Sequence, residues 1–402
     1  MSEPPETAPP ATGGLAQYAR VLFAGGDLQP VWDALMLRAT ATPPDAGAML
    51  DLSTILQLTG QREQGLALQA DALGHHRLYR RVVGTGEGPH LLALVAAGDL
   101  MASTPVEFLL TGWNGVLDLM FFAAGERATI LMPEHDIAIV AVGESDANAS
   151  LLDALIEPVA HWPKPILNGA PIAIRALGRD RAPPRLDGPH VNAPPTLRVT
   201  RDQLLALVAS QMPLSDILPG RTFPVILRPV DSHAGAGLEK LGAPDEIASY
   251  LSRHDGETFY LSPFIDYSGP DGRFRKLRVA LVDGRPFLVH MAISDHWMVH
   301  YLNAGMDEDA AKRAEEAAMM ATFDAGFAAR QAAAFAAVHA LYGLDYLALD
   351  CAEDRDGRLL VFEADTAMIV HDMDPPDLYP YKAPAMKKLF AAFQEMVAAR
   401  VA

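Results

Sequence analysis

Hydrophobic positions along this chain repeat with three rhythms. From Leu15 to about Arg81 they recur at helical spacing. AQYARVLFAGG sets Tyr18, Leu22 and Phe23 on one face and stops at Gly25–Gly26. VWDALMLRAT follows. MLDLSTILQLTGQREQGLALQADAL then reads as two amphipathic helices broken at Thr59–Gly60, with Leu52, Ile55 and Leu56 answering Leu66, Leu68 and Leu73. After Gly84–Gly88 come short, nearly continuous apolar runs: LLALVA (Leu91–Ala96), VLDLMFF (Val116–Phe122) and IAIVAV (Ile137–Val142). Helical stretches such as SLLDALIEPVA lie between or after them. Together they predict a parallel sheet covered on both faces.

Beyond Asn192 the rhythm becomes mixed. FPVILRPV and FYLSPFI read as strands, and KLRVALVDGRPFLVHMAI as a hairpin turning at Asp283–Gly284. Asp307 to Leu341 is Ala-rich and helical, broken near Asp324–Ala325–Gly326. It lacks apolar heptads, so it predicts helices packed within a domain rather than a coiled coil. LDYLALDCAED and RLLVFEAD form a second hairpin around Asp356–Gly357. The fold class expected is therefore α/β, or α+β, with an all-α region in front.

The helix–turn–helix within the first stretch resembles a single tetratricopeptide unit. It reads either as a helical cap on the next domain or as a peptide-binding repeat that recruits a protein or peptide partner. Composition narrows the remaining choices. With 402 residues there is room for two or three domains of roughly 100–200 residues each. A formal charge of −18 leaves nothing to neutralise phosphate backbones, so no nucleic-acid partner is expected. The lone Cys351 excludes an internal disulfide and points to a reducing compartment. MSEPPETAPPATGG has no secretory pattern and reads as a disordered tail over residues 1–13. No apolar run reaches the ~18–20 residues of a membrane span. A cytoplasmic location, away from any membrane, is the expectation.

Candidate chemistry concentrates near the C-terminus. Glu363 and Asp365 are two apart on a strand and share a face, and a hairpin at Asp356–Gly357 can bring Asp350 beside them. Carboxylates so placed repel unless a cation sits between them, and hard oxygen donors suit Mg²⁺. The competing reading is a solvated hairpin edge. Upstream, Arg228 follows an apolar strand and leads into DSHAGAGL, where Ser232, His233, Gly235 and Gly237 form a turn whose amides can approach phosphate. This is not a Walker A loop, and an ordinary turn is the alternative. Pro263, Phe264 and Ile265 end a strand where unpaired backbone groups beside an apolar wall would suit adenine; an ordinary strand end would look the same. No G-x-G-x-x-G follows the first strand, which disfavours a nicotinamide enzyme.

Taken in order, Asn168 in PILNG, Arg181 in GRDR, Arg228–Pro229, the glycine-rich turn, the PFI hinge, Arg278, and Asp350 with Glu363-Ala-Asp365 resemble the ATP-grasp superfamily. The likeness is to the branch containing ribosomal-protein glutamate ligases (the RimK-like enzymes), glutathione synthetases and D-alanine–D-alanine ligases, and it runs from about Leu91 to the C-terminus. Behind the helical region at 14–84, it implies a pre-ATP-grasp domain at 85–178 and an ATP-grasp domain at 179–402, with ATP and Mg²⁺ as cofactors. It also implies that Asn168 closes the preceding domain, and that Arg181 and Arg228 stand where two phosphate-binding lysines are usual. Ser232 to Leu238 would close on the phosphates, Pro263, Phe264 and Ile265 would meet adenine, and Arg278 and Asn303 would lie near the transferred phosphate. Asp350, Glu363 and Asp365 would hold magnesium. The chain departs from the family pattern in having arginine for both lysines and Asp365 for an asparagine. Arginine remains a legitimate, bidentate phosphate ligand.

HMAISDHWMVHYLNAGM adds His290, His296 and His300, which would share one face if the stretch were all strand. With no Cys or Glu among them, substrate contact or satisfied structural histidines fit better than zinc. Arg273, Arg275 and Lys276 add positive charge beside it, suited to an anionic substrate or to a solvated loop. His371 and Asp372 follow the metal strand and either orient an amine or cap a helix over Ala383–Val397. The function expected is a ligase that activates a small-molecule or peptide carboxylate as an acyl phosphate and joins it to an amine. The alternatives are a degenerate nucleotide-binding module that recruits a partner, and a kinase.

Overall fold

Helical periodicity carries the chain to His75 and no further. The computed structural model describes residues 8–122, 132–230 and 235–401. It begins with α1 (Leu15–Phe23), α2 (Gln29–Ala39), α3 (Ala46–Leu58) and α4 (Arg62–His75). The α3–α4 turn falls at Thr59–Gly60, with Gly60 at φ 82°. Two expectations are corrected here. Phe23 does not share a face with Tyr18 and Leu22: those two pack toward α2 and α3, while Phe23 is 56 % exposed and turns the other way. Leu78–Arg81 is not helical but opens strand β1 (Leu78–Val83), whose Tyr79 is buried while its neighbour Arg80 pairs with Asp118.

Part of the expected tail is docked. The Arg80 amide donates to the Pro10 carbonyl and the Thr12 amide to the Arg80 carbonyl, at 2.9 and 3.0 Å. Thr12 Oγ1 and the Gly13 and Gly14 amides donate to the buried Asp51 carboxylate. Those donors satisfy a charge that α3 would otherwise bury alone.

The first sheet comprises β1, β2 (His90–Ala96), β3 (Gly115–Phe122), β4 (Ile137–Val140) and β5 (Ile166–Leu167), in the order β1–β3–β2–β4–β5. Pairs among β2 to β5 are parallel and β1 is an antiparallel edge. Leu92, Leu94, Ala138 and Val140 face α6 (Ala149–Ala160), while Leu91, Ala93, Ile137 and Ile139 face α3 and α4. Burial on both sides explains the unbroken apolar runs. The short α5 (Val106–Leu109) connects β2 to β3.

Asn168 closes this sheet at φ 49°, fully buried. Its side chain donates to the Tyr346 carbonyl and accepts from the Tyr346 amide, both at 2.9 Å. Its own amide donates to Asp345 at 2.7 Å. One amide side chain thus joins the first sheet to the last. Two short helices, α7 (Pro171–Arg175) and α8 (Pro183–Leu186), lead to β6 (Val191–Asn192).

A second sheet, ordered β7–β10–β8–β9, is antiparallel: β7 (Leu197–Thr200), β8 (Val225–Pro229), β9 (Glu239–Leu241) and β10 (Thr258–Pro263), packed on α9 (Arg201–Val208) and α10 (Pro244–Leu251). The third sheet is ordered β12–β11–β13–β14–β6 and contains β11 (Phe274–Val282), β12 (Arg285–Ser294), β13 (Tyr346–Glu353) and β14 (Leu359–Asp365). Both hairpins turn where expected, and Asp283 and Gly284, at φ 49° and 73°, have the left-handed backbone of a tight two-residue turn. The Ala-rich stretch forms α11 (Ala310–Thr322) and α12 (Ala332–Tyr342) around a π-turn at Asp324–Ala328, and Asp309 caps α11. The final helix, α13 (Lys382–Val401), buries Met386, Leu389, Phe390 and Phe393 with residues of the first and third sheets. The fold is α+β behind an all-α segment. Among the described residues no helix is long and apolar enough to cross a membrane.

Candidate active site

Strand register builds the site. In the third sheet His290 pairs with Arg278, Arg278 with Asp350, and Asp350 with Glu363. Directly opposed residues of antiparallel strands share a face, so the four form one row across β12, β11, β13 and β14. Arg278 grips Asp350 with two donors, Nε to Oδ1 at 2.8 Å and Nη2 to Oδ2 at 3.2 Å, and its Nη1 donates to the Ile369 carbonyl at 3.1 Å. Lys276 adds an ion pair to Asp350 at 2.7 Å. Burial opposes the Asp350 charge, but Arg278 and Lys276 outweigh it and hold the carboxyl well below the ordinary range.

Glu363 is held by Arg179. Burial again works against the charge, and Arg179, helped by Lys276 and Arg228, keeps this carboxyl below its usual value. Asp365 lies two residues along the same face, opposite Ala348. The Ala367 amide donates to it at 2.9 Å, and Arg179 also favours its charge. Burial, with the Glu363 and Glu144 charges, pushes Asp365 up to about 7. Asp350, Glu363 and Asp365 therefore share a face as expected, but each points to its own partner. Among the described residues no three His, Cys, Asp or Glu side chains gather at metal-holding separations.

The two expected phosphate arginines are placed differently. Arg228 lies opposite Tyr260 in the second sheet, and burial together with nearby Arg179 pushes its guanidinium down to about 10. Arg181 turns away from the row, toward Glu144 at 3.2 Å and Asp146 at 3.5 Å, and donates to the Arg175 carbonyl. Arg179 takes the place beside Glu363 that was expected of Arg181. Both arginines sit in GRDR, in a tight turn where the Arg181 amide donates to Gly178. Strand or helix spacing has no purchase there, which is why Arg179 was missed.

Ser232 and His233 lie outside the described residues. Gly235 and Gly237 have φ of 78° and 64°, which the glycine-rich turn requires. A Cβ on Gly235 would stand 3.4 Å from Met298 Sδ, so this turn reaches the segment after β12. Pro263 ends β10. The Phe264 amide is not unpaired as expected, since it donates to the Pro224 carbonyl at 3.1 Å as part of the β8–β10 pairing. The Phe264 ring lies between Trp297, 5.8 Å away, and Lys240 Nζ at 3.6 Å, and Ile265 packs against the main core.

The shared face of His290, His296 and His300 is corrected, because β12 ends at Ser294. The Ser294 hydroxyl takes the His296 amide at 3.0 Å and turns the chain. His300 instead pairs its amide with Asn303 at 3.1 Å, at the start of a short 3₁₀ turn. His290 alone stays in the row, its ring 4.6 Å from Tyr301, and burial plus Arg278 pushes it well below the ordinary histidine value. Beyond it lies a buried network that the sequence did not announce. Lys382 contacts Asp374 at 3.1 Å, Glu316 at 3.7 Å and the Tyr301 hydroxyl, while Tyr381 donates to Glu316 at 2.7 Å. His371 rests between Phe23 and Phe108, at 5.7 and 6.4 Å.

No family model matches this chain, and no curated protein matches it. Solved structures do. The D-cycloserine synthetase DcsG aligns with 78% of this chain and 100% of its own at 18% identity, TM-score 0.42. An ATP-grasp RimK domain protein from Sphaerobacter thermophilus aligns with 77% of this chain and 99% of its own at 17% identity, TM-score 0.41. The VanG D-Ala:D-Ser ligase from Enterococcus faecalis aligns with 79% and 100% at 12% identity, TM-score 0.43.

Proposed function

We propose that this chain is an ATP-dependent carboxylate–amine ligase of the ATP-grasp kind, taking a small-molecule or peptide acid and an amine. The observation that carries this reading is the charged row His290–Arg278–Asp350–Glu363, with Lys276, Arg179 and Arg228 beside it. Seven ionisable side chains converge there on facing strands and turns, and a concentration of charges with shifted protonation of this kind supports a site for a charged ligand. The order of motifs along the chain agrees with this reading.

The carboxylates fit magnesium by chemistry. All are hard oxygen donors, and Asp365 is held near 7 by burial beside Glu363, a shift that a cation would reverse. Mg²⁺ held by Asp350, Glu363 and Asp365 would neutralise charge on the β- and γ-phosphates. Arg179, Arg228 and Arg278 supply planar donors for phosphate oxygens. Gly235 and Gly237 leave backbone amides free of Cβ obstruction, and Phe264, Trp297 and Lys240 offer a ring-lined wall for the base. The substrate carboxylate attacks the γ-phosphorus, ADP leaves, and the amine displaces phosphate from the acyl phosphate. The protein's part is positioning and electrostatic stabilisation.

The test is ADP release from Mg·ATP across single amino acids, pairs and dipeptides, with mass spectrometry of the products. A ligase gives ADP that depends on both acid and amine, and a condensed product. A phosphorylated product formed without an amine would make the chain a kinase instead.

A further inference from the structure

Helix α1 packs on two faces, and only one of them serves the helical region. Tyr18 and Leu22 pack with Leu28, Leu35 and Leu52 of the following helices. Ala16, Ala19, Arg20 and Phe23 recur at i, i+3, i+4 and i+7 and form a second stripe. This stripe meets Phe108 of α5, together with Ile369 and Met373 from the segment that follows β14. Its ends are anchored. The Ala16 amide donates to Glu107 at 2.8 Å, and Arg20 pairs with Asp372 at 2.6 Å and donates to Thr111 at 2.8 Å.

Between these anchors sits His371, its ring flanked by Phe23 and Phe108. The Met373 amide donates to His371 Nδ1 at 3.2 Å, so the neutral ring carries its proton on Nε2. Around it are Asp372, neutralised by Arg20; Asp374, paired with Lys382; and Arg278 of the charged row. Burial, together with Lys382 and Arg278, outweighs the two aspartates and keeps the imidazole below its ordinary value. An Nε2–H beside paired carboxylates and two cations is suited to an oxygen acceptor. It cannot take a proton from an amine at that nitrogen.

We propose that α1 belongs to the substrate side of this site: Phe23 and Arg20 position His371 so that its Nε2–H donates to a carboxylate or carbonyl oxygen of the acid or the amine substrate. This inference rests on the ligase reading, and it makes the N-terminal helices a wall of the active site rather than a separate docking repeat. Arg20 and Phe23 act through His371 and are positioning residues. Phe23 is 56 % exposed and the Arg20 side chain 35 %, so both can be truncated without opening the core.

The experiment is ¹⁵N NMR of the full chain labelled at histidine, with His371→Gln identifying the signal. The expected signal has a protonated Nε2 and an unprotonated Nδ1. Phe23→Ala and Arg20→Ala should each mix the tautomers and raise the titration midpoint. Arg20→Asp combined with Asp372→Arg should restore the original signal. In parallel, ADP release with amino acids offered singly and in pairs should show KM for the accepted amino acid rising about tenfold in Phe23→Ala, a 1.4 kcal/mol effect, with KM for ATP unchanged. A proton on Nδ1 in the unaltered chain would overturn the assignment, as would Phe23→Ala and Arg20→Ala variants that leave signal and KM untouched. If the unaltered chain releases no ADP with any amino acid, the ligase reading fails, and the imidazole signals still decide whether α1 holds His371.

Discussion

Two buried ion pairs in this molecule are built almost alike. Arg80 and Asp118 are register partners on antiparallel strands of the first sheet, joined by two hydrogen bonds of 2.8 and 2.7 Å. Arg278 and Asp350 are register partners on antiparallel strands of the third, joined at 2.8 and 3.2 Å. Their surroundings differ. The Arg80 backbone is stitched to residues 10 and 12, and the pair ties an edge strand to its neighbour. Asp350 also carries Lys276, and its neighbour in the row, Glu363, holds Arg179. The first is a single pair; the second is part of a row that spans four strands. Such a concentration of charge makes the row the candidate site.

Four substitutions separate the two pairs. Glu363→Gln is nearly isosteric and should lower ADP formation by about 100-fold or more, the scale of losing one electrostatic stabiliser, while the far-UV spectrum stays unchanged. Arg80→Ala strands the buried Asp118 carboxylate and should cost about 3–5 kcal/mol in urea unfolding; Arg278→Ala leaves Lys276 on Asp350 and should cost less. They should part in function: Arg278→Ala abolishes Mg·ATP binding, and Arg80→Ala leaves it intact in whatever fraction remains folded. Equal binding by both variants would mean that the two pairs do not differ in function. Asn168→Ala removes two buried hydrogen bonds between sheets and should cost about 1–3 kcal/mol, again without changing nucleotide affinity.

The smallest effect expected is in pH dependence. Asp365 and Glu144 both have carboxyls raised to about 7, chiefly by burial. A raised folded-state carboxyl binds more protons than the unfolded chain between the ordinary carboxyl value and 7. Its contribution is therefore present at low pH and is lost as pH rises through about 7. Metal-free melting temperature should fall across that window. Asp365→Asn should flatten part of the fall, and saturating Mg²⁺ across the window should do the same for the unaltered chain.

Much of this was legible in the sequence where a periodic element sets geometry. Strand alternation placed Glu363 and Asp365 on one face, and the Asp356–Gly357 turn brought Asp350 opposite. The apolar runs of β2 and β4 announced a sheet covered twice. Where no period exists the reading failed. The GRDR turn offered two arginines and no rule to choose between Arg179 and Arg181. The stretch after Ser294 keeps strand-like composition, yet the Ser294 hydroxyl captures the His296 amide and ends the strand. LYRRVV is too short for its period to stand out beside helices, although Tyr79 and Arg80 already alternate. The Lys382–Glu316–Asp374 network joins residues from three distant segments, and no local pattern foretells such a meeting.

On the proposed function, the charged row binds nucleotide and metal. Titration calorimetry with a non-hydrolysable ATP analogue, with and without Mg²⁺, tests it on the unaltered chain, Glu363→Gln and Arg80→Ala. One saturable, Mg²⁺-dependent binding event is expected in the unaltered chain and in folded Arg80→Ala, and a marked loss of it in Glu363→Gln. No binding by the folded, unaltered chain at millimolar analogue, or equal binding by Glu363→Gln, would contradict it.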